Sequence, residues 1–129
     1  MILPWPPTVN TMWRSPRTGP LAGRTLLSEQ GRKYRREVQR LAVVHRWPTH
    51  DARQRLRVRI VAHMPDRRRR DLDNLLKAAL DSLTHAGVMA DDSQIDALSI
   101  ERADETVVGG CLQVLIERIA QPQQEIAAC

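Results

Sequence analysis

The chain has 129 residues, is 42% apolar and carries a net charge of +5, which suits one domain with its own core and leaves too little chain for two. Three Trp, one Tyr and no Phe mean that the core is built from Leu, Val, Ile, Ala and Met. No stretch approaches the roughly 20 apolar residues of a membrane span, no charged start leads into an apolar run of secretory length, and Cys111 and Cys129 sit in no metal-ligand or disulfide pattern; the expected compartment is a reducing cytoplasm.

The first stretch, MILPWPP, predicts a short strand closed by Pro6 and Pro7, since proline has no N–H for a sheet ladder. Thr8 to Leu27 contains Asn10, Pro16, Gly19, Pro20 and Gly23 and reads as a long loop or irregular hairpin. Its Arg14, Arg17 and Arg24 face either solvent or a ligand. Ser28 stands where a helix N-cap belongs. Beyond it Tyr34, Val38, Leu41, Ala42 and His45 recur at helical spacing, with Arg32, Arg36 and Arg40 opposite. This helix ends before Pro48. QRLRVRIVAHMP alternates, with Leu56, Val58, Ile60, Ala62 and Met64 on one side and Arg57, Arg59, Val61 and His63 on the other. That is a half-buried strand ended by Pro65.

A second helix follows from Leu72, Leu75, Leu76, Ala79, Leu80 and Leu83, with Gly87 as its stop. VMADDSQ is a turn, IDALSIERA a strand, Gly109-Gly110 a turn and CLQVLIERI a last strand. The expected fold class is α/β (α+β type): a two-layer single domain, a mixed β-sheet with two main helices, in the order β-α-β-α-β-β. Residues 1–120 form the domain and 121–129 a flexible C-terminal tail.

The chemistry concentrates in MPDRRRRDLDNLLK, Met64 to Lys77. Arginine suits phosphate, whereas aspartate repels it. Eighteen Arg stand against two Lys, Lys33 and Lys77; either codon bias or a phosphate-binding task would raise that total, but codon bias does not explain the run Arg67, Arg68, Arg69, Arg70. Asp71 alone reads as a helix cap, and Asp73 with Lys77 as an i, i+4 ion pair. Taken together the residues fit another task. Carboxylates hold a hard divalent cation such as Mg²⁺, the cation activates water and steadies the leaving oxygen of a phosphodiester, and a lysine offsets charge on the phosphate. The acids then serve the ion and the arginines serve the strand. Asp92, with Asp91 beside it, joins this set only under a condition. The turn after Gly87 must return along a helix of about 15 residues and roughly 22 Å, or a second subunit must supply the residue.

HMPDRRRRDLDNLLKAALDSLTHAGV followed by DDSQI, with LPWPP near the start and S-x-x-G-x-x-Y-R at Ser28 to Arg35, closely resembles the RusA family of Holliday-junction resolvases from Leu3 to about Leu115. The resemblance implies a Mg²⁺-dependent endodeoxyribonuclease, with Mn²⁺ able to substitute. It implies a homodimer that resolves four-way DNA junctions by paired symmetric nicks in recombination and repair. It implies metal-binding catalytic aspartates at Asp71, Asp73 and Asp92 and a catalytic lysine at Lys77. DNA contacts are expected from Arg67, Arg68, Arg69, Arg70 and Asn74, and Asp91 is the lesser acid. A two-fold protein suits a junction of two-fold character. Met12-Trp13 stands where the family leads one to expect tyrosines. Two readings compete: a non-catalytic basic DNA-binding module, which needs the arginines but not the acids, and a less selective branched-DNA nuclease.

Overall fold

The computed structural model describes residues 1–120. In chain order these form strand β1 (Ile2–Pro4), the one-turn helix α1 (Val9–Met12), strands β2 (Trp13–Arg14) and β3 (Leu26–Leu27), helix α2 (Glu29–Val44), strand β4 (Arg55–His63), helix α3 (Asp73–His85), a 3-10 turn (Asp92–Gln94), and strands β5 (Ile95–Arg102) and β6 (Cys111–Ile119). The residues expected to form a C-terminal tail lie outside this range.

Alternation along β4 organises the rest. Leu56, Val58, Ile60 and Ala62 are buried together with Tyr34 and Val38 of α2 and with Leu75, Ala79 and Leu83 of α3, in one core. Each buried aliphatic side chain contributes about 1.5–3 kcal/mol relative to exposure. The sheet order is β1-β6-β4-β5. β6 runs antiparallel to both β1 and β4, whereas β5 runs parallel to β4. A parallel pair needs a long crossover, and α3 with its return loop supplies it. Arg57, Arg59 and Val61 lie on the sheet face away from the helices, in register with Glu117, Leu115 and Gln113 of β6. The two-layer α/β arrangement with a mixed sheet is the expected one.

The N-terminal motif residues each have a structural task. Ser28 caps α2 by accepting from the Gly31 amide at 3.0 Å. Gly31 is glycine because a Cβ there would sit 2.5 Å from the Met12 carbonyl oxygen. Tyr34 donates to the Pro4 carbonyl at 2.8 Å and ties α2 to β1; burial raises its pKa well above the usual value. Arg35 grips both oxygens of Asp81 at 2.8 Å and joins α2 to α3. The expected irregular hairpin is present as the pairs Trp13–Leu27 and Arg14–Leu26, but α1 was not legible in advance.

Two expectations are corrected. Asp71 is not the cap of α3: Leu72 holds that position in helical geometry, with no side-chain cap bond. A capping side chain needs extended backbone at the residue just before the helix, and Asp71 stands one residue too early. His45 does not extend the buried stripe of α2, which ends at Val44, and it is exposed.

Replacing Gly31 by Ala forces a methyl group against the Met12 carbonyl and Leu27. The expected loss of stability is about 1–3 kcal/mol, read as a lower urea midpoint with an unchanged slope.

Candidate nucleic-acid interface and acidic site

Pro65 ends the alternation of β4, and the chain must then turn into α3. Asp66 shapes this turn. Its carboxylate accepts from the Arg68 amide at 2.9 Å, from Arg70 Nη1, and from Arg70 Nη2 at 3.1 Å. The Arg70 hydrogen bond above all, and then the Arg68 amide, hold the Asp66 carboxyl down at about 2. It therefore stays charged through the ordinary pH range. Arg102 of β5 donates to the Arg70 carbonyl at 2.6 Å. The Arg70 guanidinium lies 5.9 Å from the centre of the Trp5 ring, within cation–π reach. Trp5 is backed in turn by Gly110, where a Cβ would approach the indole to 2.7 Å. Arg67, Arg68 and Arg69 are exposed. Arg69, Arg70, Asp71 and Asn74 line a cleft of about 350 Å³ with Trp5, Thr8 and Leu75.

The acidic side is built by α3 and the return from it. Asp73 opens the helix, and Lys77 follows one turn later. The expected Asp73–Lys77 ion pair is not among those formed. The Lys77 ammonium instead lies over the Trp13 ring, 4.6 Å from its centre. After Gly87, at φ +79°, Val88 and Met89 turn into the core. Asp91 caps the 3-10 turn through Ser93, and Gln94 completes a capping box. Gln94 is buried and fully used: its Oε1 accepts from the Ala90 and Asp91 amides at 2.8 and 3.1 Å, and its Nε2 donates to the Asp51 and Gln54 carbonyls at 2.9 and 3.0 Å. The return thereby brings Asp91 and Asp92 into one cleft of about 180 Å³ with Lys77, Leu80, Asp81 and Thr84. No second subunit is needed for Asp92 to meet Lys77.

The expected site residues thus fall into two groups along one helix. Arg69, Arg70, Asp71 and Asn74 share the first cleft; Lys77, Asp91 and Asp92 share the second. Asp73 stands about 6 Å of helical rise before Lys77. Arg67 and Arg68 line neither cleft. Asp91 is engaged by Ser93, whose amide and hydroxyl lower its pKa, so it serves as a cap. Asp81 is committed to Arg35. Among the described residues no three acidic, His or Cys side chains gather closely enough to hold a metal ion by themselves. Mg²⁺ asks for less: it usually takes one or two carboxylates, waters and substrate phosphates. Asp71, Asp73 and Asp92 are exposed and outside every ion pair among the described residues, so each offers the free carboxylate oxygens that such a substrate-completed ion takes one or two of.

Sequence reasoning missed Asp66, Trp5, Trp13 and Gln94. Two carried a signal. Asp66 and Arg70 are four residues apart, and Asp91 to Gln94 has the spacing of a capping box. The two tryptophans approach their cations from distant segments, which no local pattern encodes.

The family profile described as Endodeoxyribonuclease RusA matches residues 4–117. The crossover junction endodeoxyribonuclease of Enterobacteria phage HK97 is 42% identical over 118 residues, 92% of each chain. The proteins of that name from Escherichia coli (strain K12) and Enterobacteria phage 82 are each 42% identical over 114 residues, 88% of this chain and 89% of theirs. The matched span starts in β1, ends in β6 and takes in both clefts, and the chain belongs to the RusA endodeoxyribonuclease family.

Proposed function

We propose that residues 1–120 form a crossover-junction endodeoxyribonuclease that binds four-way DNA junctions in the cytoplasm and hydrolyses one phosphodiester in each of two opposed strands. The observation that carries this reading is the return of Asp92 to Lys77, one turn along from Asp73 on the helix whose first turn also lines the arginine-bearing cleft. A module that only bound DNA would need the arginines and gain nothing from the acids. The names of the relatives support the same substrate.

The roles follow from position. Arg69 and Arg70 take the phosphates flanking the scissile bond, Arg67 and Arg68 add longer-range attraction, and Asn74 offers an amide to the strand in the same cleft. Asp71, Asp73 and Asp92 hold Mg²⁺, for which Mn²⁺ substitutes; when bound, the cation lowers the pKa of a water and steadies the leaving oxygen. Lys77 points its ammonium at the charge that builds on the phosphate, and the Trp13 ring fixes its direction. Asp91 holds the turn from which Asp92 projects.

Two nicks call for two sites, and we assign the protein a two-fold dimer. The helix-free sheet face supports this. Ile2 and Leu115 are 54% and 52% exposed there, beside a groove of about 610 Å³ that also involves Arg59, Glu101 and Gln113. None of Arg57, Arg59, Glu101 and Glu117 forms an ion pair with another described residue. Cations and anions on one apolar face are self-complementary across a two-fold axis.

Cleavage of a synthetic four-way junction, labelled on each strand in turn, is expected to give symmetric nicks with Mg²⁺ and none in EDTA. Equal cutting of flaps and junctions would replace the resolvase by a general branched-DNA nuclease. Asp73→Asn is expected to bind junctions normally and to lose cleavage by on the order of 100-fold or more; cutting at the parent rate would remove Asp73 from the metal site. Leu115→Arg is expected to sediment as a monomer at concentrations where the parent is a dimer.

A further inference from the structure

Four consecutive arginines on a loop normally fan out into solvent. Here one does not. The Arg70 side chain is 24% exposed against 84% for Arg68. Three separate segments hold it: Asp66 on its guanidinium, Trp5 against its face, and Arg102 on its carbonyl. A guanidinium has five N–H donors, and the Asp66 carboxylate engages one on each Nη, leaving three to meet a ligand in the cleft shared with Asp71.

We infer that Asp66 is a positioning residue that aims Arg70 into the cleft beside Asp71 and offsets its charge, so that plain duplex is held weakly and Arg70 acts on the strand to be cut. The inference rests on the reading of Arg70 as a DNA contact. The electrostatics require such a device. Each phosphate neutralised contributes about 0.9 to the salt slope of binding regardless of base sequence or branching, so a fourth free arginine would strengthen attachment to any DNA. An internal carboxylate removes one unit of charge from that generic attraction. The amide bond from Arg68 to Asp66 keeps the acid in place within the same turn.

Asp66→Asn separates aiming from scaffolding. The amide oxygen still accepts from the Arg68 amide, but the charge and the second acceptor are gone. The expected result is several-fold tighter binding of plain duplex, a salt slope steeper by about 0.9, a narrower preference for junction over duplex, and slower cutting of bound junction. Asp66→Glu restores the charge, and its duplex affinity and salt slope should return to those of the parent. Unchanged duplex affinity and slope in a normally folded Asp66→Asn would overturn the inference. So would a fall in junction binding that tracks a lower melting temperature, since that marks a purely structural role. If Asp66→Asn does not fold, Asp66→Glu carries the test through slower cutting at parental duplex affinity, and cutting at the parent rate refutes it. A parent protein that binds junctions without cutting them would sink the nuclease reading, while the binding measurements would still decide the part played by Asp66.

Discussion

Gln94 uses every hydrogen-bonding direction of its side-chain amide. Two backbone amides of the turn before it meet its oxygen, and two carbonyls of the loop before β4 meet its nitrogen. A buried amide left unpaired costs about 1–3 kcal/mol, so the turn has little freedom to sit elsewhere. Everything proposed for the acidic site depends on this clamp. It is what carries Asp92 back along α3 to Lys77, and it does so from inside the core, where DNA does not reach it. The parallel pairing of β4 with β5 depends on it too, because β5 begins at the next residue.

The ion pairs of the fold sort the charged residues. Arg35–Asp81, Arg40–Glu37 and Arg55–Asp96 use their charges internally, and exposed pairs of this kind contribute little to stability. Their effect here is selective. Around α3 they commit Asp81 to Arg35, while Asp71, Asp73 and Asp92 stay outside every ion pair among the described residues. Lys77 is likewise kept from Asp73 by an aromatic ring rather than by a counter-charge. A cation on a π face keeps its N–H donors more available than one locked in a carboxylate pair.

Much of the fold was legible because it is written in short periods. The alternation of Leu56, Val58, Ile60 and Ala62 and the helical spacing of Leu72 to Leu83 depend on neighbours within one turn or one pleat. The charged run from Met64 to Lys77 stood out for a similar reason, since it occupies one stretch, whereas Asp92 lies beyond it and joined the set only on the condition that the chain returns. What was not legible involves distance along the chain. Nothing local brings Trp13 to Lys77 or Trp5 to Arg70, and α1 is a single turn held by Thr8 and by packing on Gly31. The assignment of Asp71 as a cap failed by one residue, a margin that side-chain pattern cannot resolve because Leu72 is equally at home on either side of a helix start.

The placement of the tryptophans has an optical consequence. Of the three indoles in the chain, Trp5 faces Arg70 and Trp13 faces Lys77, the two cations assigned to phosphate. The third, Trp47, stacks on His45 just past the end of α2. Indole emission responds to a nearby charge, so the withdrawal of either cation toward a DNA strand would alter it. The molecule thus carries one native fluorophore on each side of its site and a third as an internal reference, and the order in which the two clefts engage a strand can be followed in time without attaching a dye.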